Sequence, residues 1–137
     1  MDNYQTGLLL WKQWTDMWNG QPELARALVA PEFVLHLAGT SLVDEATVSD
    51  PESVVRFVAG HRARHDKLEF RYDAGPFVDT VAGVVAGPWS AERVIDGVPS
   101  VVCGMDTIRF RDGKITEYWT LAKEADAIGR WCSALAE

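Results

Sequence analysis

A chain of 137 residues, 47% hydrophobic and 24% charged, has the size and apolar content to build one domain around a substantial core. Its formal charge of -7 at pH 7 argues against a nucleic-acid partner or an anionic membrane surface, because both select for clustered basic residues. No apolar run approaches the roughly 20 residues that a membrane helix needs, and no charged, apolar, small-residue leader precedes the first predicted helix. The two cysteines, Cys103 and Cys132, are far apart and in no metal or redox spacing, which reads as reduced thiols in a cytoplasmic protein. Six tryptophans imply a large aromatic-lined interior or an adhesive surface.

Leu10, Trp11, Trp14, Met17 and Trp18 recur at helical spacing and end at Asn19-Gly20, which predicts an N-terminal helix. Pro22 suits the first turn of a second, short helix carrying Leu24, Ala27 and Leu28. Residues Phe33 to Ala38 form a short apolar strand candidate, and Thr40 to Asp50 reads as a polar loop. Ser49 or Asp50 can cap a third helix whose buried stripe is Val54, Phe57, Val58 and His61, running to about His65. From there the period changes to that of strands: Leu68 to Val78, Val81 to Ile95, Ser100 to Phe110 and Lys114 to Ala122. Asp96-Gly97 and Asp112-Gly113 are hairpin dipeptides, since glycine supplies the positive φ such turns need. Three helices followed by an antiparallel meander make an α+β plan. A last amphipathic segment, Ala125 to Leu135, is placed against one edge.

One position breaks the pattern. Asp106 shares its strand face with Ile108 and Phe110, so a carboxyl group faces the core side. Such a group costs several kcal/mol unless it is paired, hydrogen-bonded or protonated. A structural ion pair with Arg93 on the neighbouring strand is one explanation, and a functional acid is the other. His36, in an apolar strand, is either hydrogen-bonded core or a proton-transfer group, since its pKa range suits that task best. His61 and His65 form an HxxxH pair with no third ligand in view, near a helix C-terminus where the imidazolium is favoured, so no metal site is assigned. Arg109 and Glu117 read as a solvated outer face.

The segment GMDTIRFRDGKITEYW, Gly104 to Trp119, resembles the G-x-D-x-x-R-F-x-D-G-K-I-x-E-x-W ending of the nuclear transport factor 2-like superfamily. VAPEFVLH, Val29 to His36, is similar to the D-Y-V-x-H segment of its SnoaL-like members. The resemblance covers nearly the whole chain. It implies one SnoaL-like domain over residues 1–137, with three helices in the concave face of a strongly curved, mostly antiparallel sheet, a cone-shaped α+β barrel. It also places Asp106 where ketosteroid isomerases keep a protonated aspartic acid, and His36 at a cavity-facing histidine of SnoaL-like chains, with Leu37 as the inward alternative if the strand is offset by one. Arg93 is similar in placement to an active-site arginine of limonene epoxide hydrolases, whose aspartates are not matched. Tyr118 and Thr120 stand where cyclase-like members carry a histidine and an aspartate, and the isomerase's base position falls near the apolar Leu37.

These residues together imply an enzyme acting by proton transfer on a hydrophobic, oxygen-bearing small molecule such as a polyketide, a terpenoid or a steroid-like ketone, without metal or other cofactor. The reaction class is cyclisation, isomerisation or dehydration. In this scheme His36 is base or acid, Asp106 and Tyr118 stabilise charge on oxygen, and Arg93 orients Asp106 or the ligand. Trp14, Trp18, Trp89, Phe57, Ile108 and Thr120 form the substrate-contacting walls. The alternatives are a non-catalytic binding protein, favoured by the missing base at Thr120, an epoxide hydrolase of the limonene type, and an association module working through the outer sheet face. A homodimer through that face is expected.

Overall fold

The computed structural model of the protein describes residues 1–38, 43–72 and 74–124, so the predicted segment Ala125 to Leu135 lies outside the described residues, as does Cys132. Helix α1 (Asn3–Trp18) opens with a capping box, in which the Asp2 carboxylate accepts from the Gln5 N–H and the Gln5 side chain accepts from the Asp2 N–H. The predicted stripe Leu10, Trp11, Trp14, Met17 and Trp18 is its buried face. The second helix is shorter than its sequence pattern: a 3-10 turn at Pro22–Leu24 leads into α2 (Ala25–Leu28). Helix α3 (Pro51–Ala63) is capped by Asp50 and buries Val54 and Val58.

Six strands follow these helices in part and interleave with them: β1 (Val29–Ala38), β2 (Lys67–Tyr72), β3 (Phe77–Asp79), β4 (Val84–Ile95), β5 (Val98–Arg111) and β6 (Lys114–Glu124). The sheet order is β1-β6-β5-β4-β2, with β3 also on β4, and every pair is antiparallel except β1 with β6. Strand β1 begins four residues before its apolar core because Val29 already pairs with Ile115. The predicted strand Leu68 to Val78 is two strands, since Gly75 at φ +75° and Pro76, which lacks an N–H, cannot continue a ladder. Strand β4 starts at Val84 rather than Val81 because the Asp79 carboxylate accepts from the N–H groups of Val81 and Ala82 and turns the chain there. Both predicted hairpins are present. Asp96 (φ 50°) with Gly97 (φ 79°), and Asp112 (φ 51°) with Gly113 (φ 74°), supply the paired positive φ values of type I′ turns.

The helices lie in the hollow of this curved sheet, and the core between them includes Leu35, Val85, Ile108, Phe110 and Ile115. The outer strands are closed off by polar groups of the same chain. On β2, the Asn19 carboxamide donates to the Phe70 carbonyl at 2.9 Å and accepts from the Phe70 N–H at 2.7 Å. On β1, the Phe33 N–H donates to the Ser49 carbonyl at 3.0 Å and the Leu37 N–H to Glu45 Oε1 at 2.9 Å. Cys103 is disulfide-bonded, which corrects the reduced-thiol reading, because sequence spacing carries no information about which sulfurs a fold brings together. Among the described residues no helix is long and apolar enough to cross a membrane.

Arg62 ties the helical layer to the sheet. Its Nη1 donates to the carbonyl of Trp18, the last residue of α1, at 2.6 Å and to that of Leu68 in β2 at 2.9 Å. Helix C-terminal carbonyls have no intrahelical donor, so a part-buried cation satisfies one at the place where α1, α3 and β2 meet. Arg62→Met keeps the stem and strands both carbonyls, and urea unfolding is expected to show a loss of roughly 2 to 3 kcal/mol. An unchanged midpoint would show that water replaces the guanidinium at no cost.

Candidate active site

Strand alternation selects which residues face the hollow. Trp89, Ala91 and Arg93 of β4, Val102 and Asp106 of β5, and Tyr118, Thr120 and Ala122 of β6 line a cavity of about 420 Å³ beneath α1 and α3. Trp14 and Trp18 of α1, Phe57 and His61 of α3, and Phe70 of β2 form the rest of its aromatic wall. The rings touch in series: Phe57 to Trp18 at 5.6 Å between centroids, Trp18 to Phe70 at 5.5 Å, and Phe70 to Trp89 at 5.3 Å. Trp14 stands 4.7 Å from Tyr118.

Asp106 is 7% exposed and is held from both neighbouring strands. Trp89 Nε1 donates to Oδ1 at 2.7 Å and the Tyr118 hydroxyl donates to Oδ2 at 2.8 Å. Thr120, opposite Asp106 on β6, is a further polar neighbour that favours the charged carboxylate. Gly104 makes the first of these bonds possible. It lies opposite Trp89 across the β4–β5 ladder, and a Cβ there would fall 2.5 Å from Trp89 Cζ2 and against the Leu121 carbonyl oxygen. The bare backbone lets the indole lie flat across β5 and reach the carboxyl two residues further on.

A sequence profile describing a SnoaL-like domain matches residues 11–118, which include the second half of α1, all of α3 and all of these site residues except Thr120 and Ala122. The chain belongs to the SnoaL-like domain family. Among solved structures, IdmH, a candidate polyketide cyclase from Streptomyces antibioticus, superposes with a TM-score of 0.68 at 21% identity, over 85% of this chain and 91% of that one. A candidate polyketide cyclase from Acidithiobacillus ferrooxidans gives 0.72 at 18% identity, over 94% and 96%. A protein of ketosteroid isomerase-like fold from Catenulispora acidiphila, solved with trimethylamine, gives 0.66 at 15% identity, over 82% and 83%. At these identities the likeness is one of fold. No curated protein matches the sequence.

Within this SnoaL-like frame the predicted site residues separate. Asp106, Tyr118, Thr120, Trp89, Trp14, Trp18 and Phe57 come together around the cavity. His36 does not: its Nε2 lies 2.6 Å from Glu117 Oε2 and its ring stacks on Trp119 at 5.1 Å, on the outer face, while Leu37 points inward. Ile108 is fully buried in the core below Asp106 and is not part of the wall. Arg93 lines the cavity but lies opposite Ser100, whereas Asp106 lies opposite Gly87. Six residues of strand, roughly 20 Å, separate the two positions, so Arg93 neither pairs with Asp106 nor orients it. The histidines that do reach the cavity are His61 and His65 of the HxxxH pair. Burial is the first cause that pulls His61 down to about 4, so its ring is neutral instead of the imidazolium expected at a helix C-terminus. Among the described residues, no group of three or more candidate ligands gathers to hold a metal.

Burial raises the Asp106 pKa to about 6, against the opposing effect of Thr120, Tyr118 and Trp89. The carboxyl is therefore mostly ionised at pH 7 and becomes a proton donor only near or below pH 6. Burial, with the adjacent Asp106 charge, lifts the Tyr118 pKa well above its usual value, so that hydroxyl keeps its proton. Because the folded pKa of Asp106 exceeds the unfolded value, the carboxyl costs nothing below about pH 4. It destabilises progressively as pH rises to about 6, reaching about 3 kcal/mol above that. Asp106→Asn keeps an acceptor for Trp89 and removes the ionisation. Paired urea titrations should show wild type losing about 3 kcal/mol relative to the variant between pH 4 and pH 8. A difference that stays constant over that range would mean the carboxyl ionises as easily in the fold as outside it.

Proposed function

We propose that the protein is an acid/base enzyme acting on a hydrophobic, oxygenated small molecule of the polyketide, terpenoid or steroid-ketone kind. The observation that carries this reading is Asp106, a buried carboxylate of near-neutral pKa facing an aromatic cavity. A general base works best when its pKa lies near the working pH. Asp106 takes a proton from the carbon beside a substrate carbonyl: the C–H bond breaks, its electron pair moves to the carbonyl oxygen, and the proton goes to the carboxylate. Trp89 keeps the carboxylate in place, and Tyr118, always protonated, donates its one O–H to the Asp106 carboxylate until that group takes up the substrate proton, after which it can turn to the adjacent oxyanion. Return of the proton to another carbon is an isomerisation. Attack of the enolate carbon on a second carbonyl, with the proton on Asp106 passed to the new alkoxide, is a cyclisation, and loss of that hydroxyl together with an α-proton as water is a dehydration. The base role thus moves from His36 to Asp106. The fold shared with candidate polyketide cyclases supports the class of chemistry.

The test does not need the natural substrate. An aryl 1,3-diketone and a β,γ-unsaturated cyclic ketone incubated with the protein in D2O should take up deuterium at the α-carbon, read by mass spectrometry, at least 100-fold faster than with Asp106→Asn. Saturable binding of both ketones without exchange would identify a binding protein instead.

We also propose a homodimer formed through the outer sheet face, where Val34, Val101 and Leu121 are 50%, 38% and 45% exposed. Light scattering at micromolar concentration should give twice the chain mass of 15.2 kDa, and a 15.2 kDa particle would refute the dimer.

A further inference from the structure

The cavity wall carries a second polar group that the chemistry at Asp106 does not use. His61 of α3 lines it together with Trp18, Phe57 and Phe70. Its ring meets Trp18 edge to face, with 5.5 Å between centroids and 86° between planes, and this contact sets how the imidazole sits in the wall. His61 belongs to the end of the cavity marked by Leu68 and Arg93, which lie opposite each other on β2 and β4, whereas Asp106 lies opposite Gly87. Between the two ends the wall is apolar or aromatic, made by Trp89, Ala91, Val102 and Phe70. A molecule that touches both therefore has a hydrophobic middle.

The protonation of His61 follows from its neighbours. Arg64 Nη2 lies 3.1 Å from His61 Nδ1, and a guanidinium can only donate, so Nδ1 accepts and the ring is neutral with its proton on Nε2. Burial, the largest influence on the group, pulls its pKa down to about 4, so this neutral form persists at physiological pH. Among the described residues nothing accepts from Nε2: the hydrogen bonds of His61 are made by Nδ1 and by the backbone carbonyl. Asp106 is the one carboxylate among the described residues of the cavity wall, and it stands at the other end. A donor placed in such a wall is satisfied by whatever fills the cavity. Because this donor brings no charge, the atom it suits is a neutral acceptor rather than an anion, whose removal from water would need a compensating charge.

We propose that His61 Nε2–H binds a neutral carbonyl or ether oxygen of the substrate at the end remote from Asp106, so that the substrate carries an oxygen function at each end of an apolar body. This inference rests on the reading of the cavity as the site for a hydrophobic oxygenated substrate, and it adds where the second oxygen lies. It selects extended diketones and keto-ethers over molecules that end in a plain hydrocarbon tail.

Calorimetric titration at pH 7.5 with two probes of one shape tests it: 4-(4-oxopentyl)acetophenone, and 4-(4-methylpent-4-enyl)acetophenone, in which the chain carbonyl is replaced by C=CH2. One hydrogen bond is worth about fivefold in affinity, and the diketone should bind wild type more tightly by about that factor. His61→Phe keeps the aromatic edge against Trp18 and removes the donor, so the diketone's advantage should fall to within about twofold. His61→Gln keeps an N–H near the Nε2 position and removes the ring, so part of the advantage should survive. Long-range 1H–15N NMR of wild type at pH 7.5 should show the His61 proton on Nε2. Equal affinities in wild type, an advantage undiminished in His61→Phe, or a proton found on Nδ1 would overturn the His61 subsite and leave the cavity reading intact. Failure of both probes to bind wild type at millimolar concentration would overturn the two together.

Discussion

The structure turns on the desolvation of one carboxyl group. Placing Asp106 on the concave face removes it from water, and the folded state tolerates that only because Trp89 and Tyr118 donate to it. These donors come from β4 and β6, on either side of β5, so the cluster exists only while all three strands keep their register. A one-residue slip of any of them would send its member to the opposite face. The type I′ turns at Asp96-Gly97 and Asp112-Gly113 fix that register from the two ends of β5. The balance of burial against these polar neighbours leaves the group between a permanent acid and a permanent anion.

The cavity's shape depends as much on what is missing from the sheet as on what lines it. Trp89 occupies the space over Gly104 that a side chain would take, and this single gap aims the indole N–H along the strand. The same indole meets Phe70, which meets Trp18, so the acid is coupled by ring contacts to the helical layer. Trp14 does the same through Tyr118. The tryptophans are thus chiefly the packing that positions the site. The unusual aromatic content finds its physical reason there.

Where local period carried a clear signal, the sequence was readable. The stripe of α1, the capped start of α3, both hairpins and the inward face of Asp106 all follow from spacing and turn chemistry. His36 was not readable, because Phe33 to Leu37 is apolar on both faces apart from the histidine itself, and an alternation with no contrast cannot say which side is in. The fold decides it by packing Phe33 and Leu35 in the core, which leaves Val34 outside with His36. Arg93 could be assigned to the right face but not to its distance from Asp106, which depends on hairpin register. His61 and His65 were visible as an HxxxH pair, and their common face with Phe57 was the signal that they belong to the cavity. Cys103 shows the limit of spacing arguments where the contact is set by three-dimensional closeness.

The hydrogen bonds along the outer strands have a consequence for assembly. An unpaired strand at the end of a sheet is a template for another chain, and proteins suppress unwanted growth there by occupying its backbone groups. Here Asn19 takes both groups of Phe70 on β2, while Ser49 and Glu45 take the N–H groups of Phe33 and Leu37 on β1. Strand addition is disfavoured at both margins, so copies of this chain are steered away from open, fibre-forming contacts. The broad face of the sheet is left as the surface through which a closed, finite pairing can form.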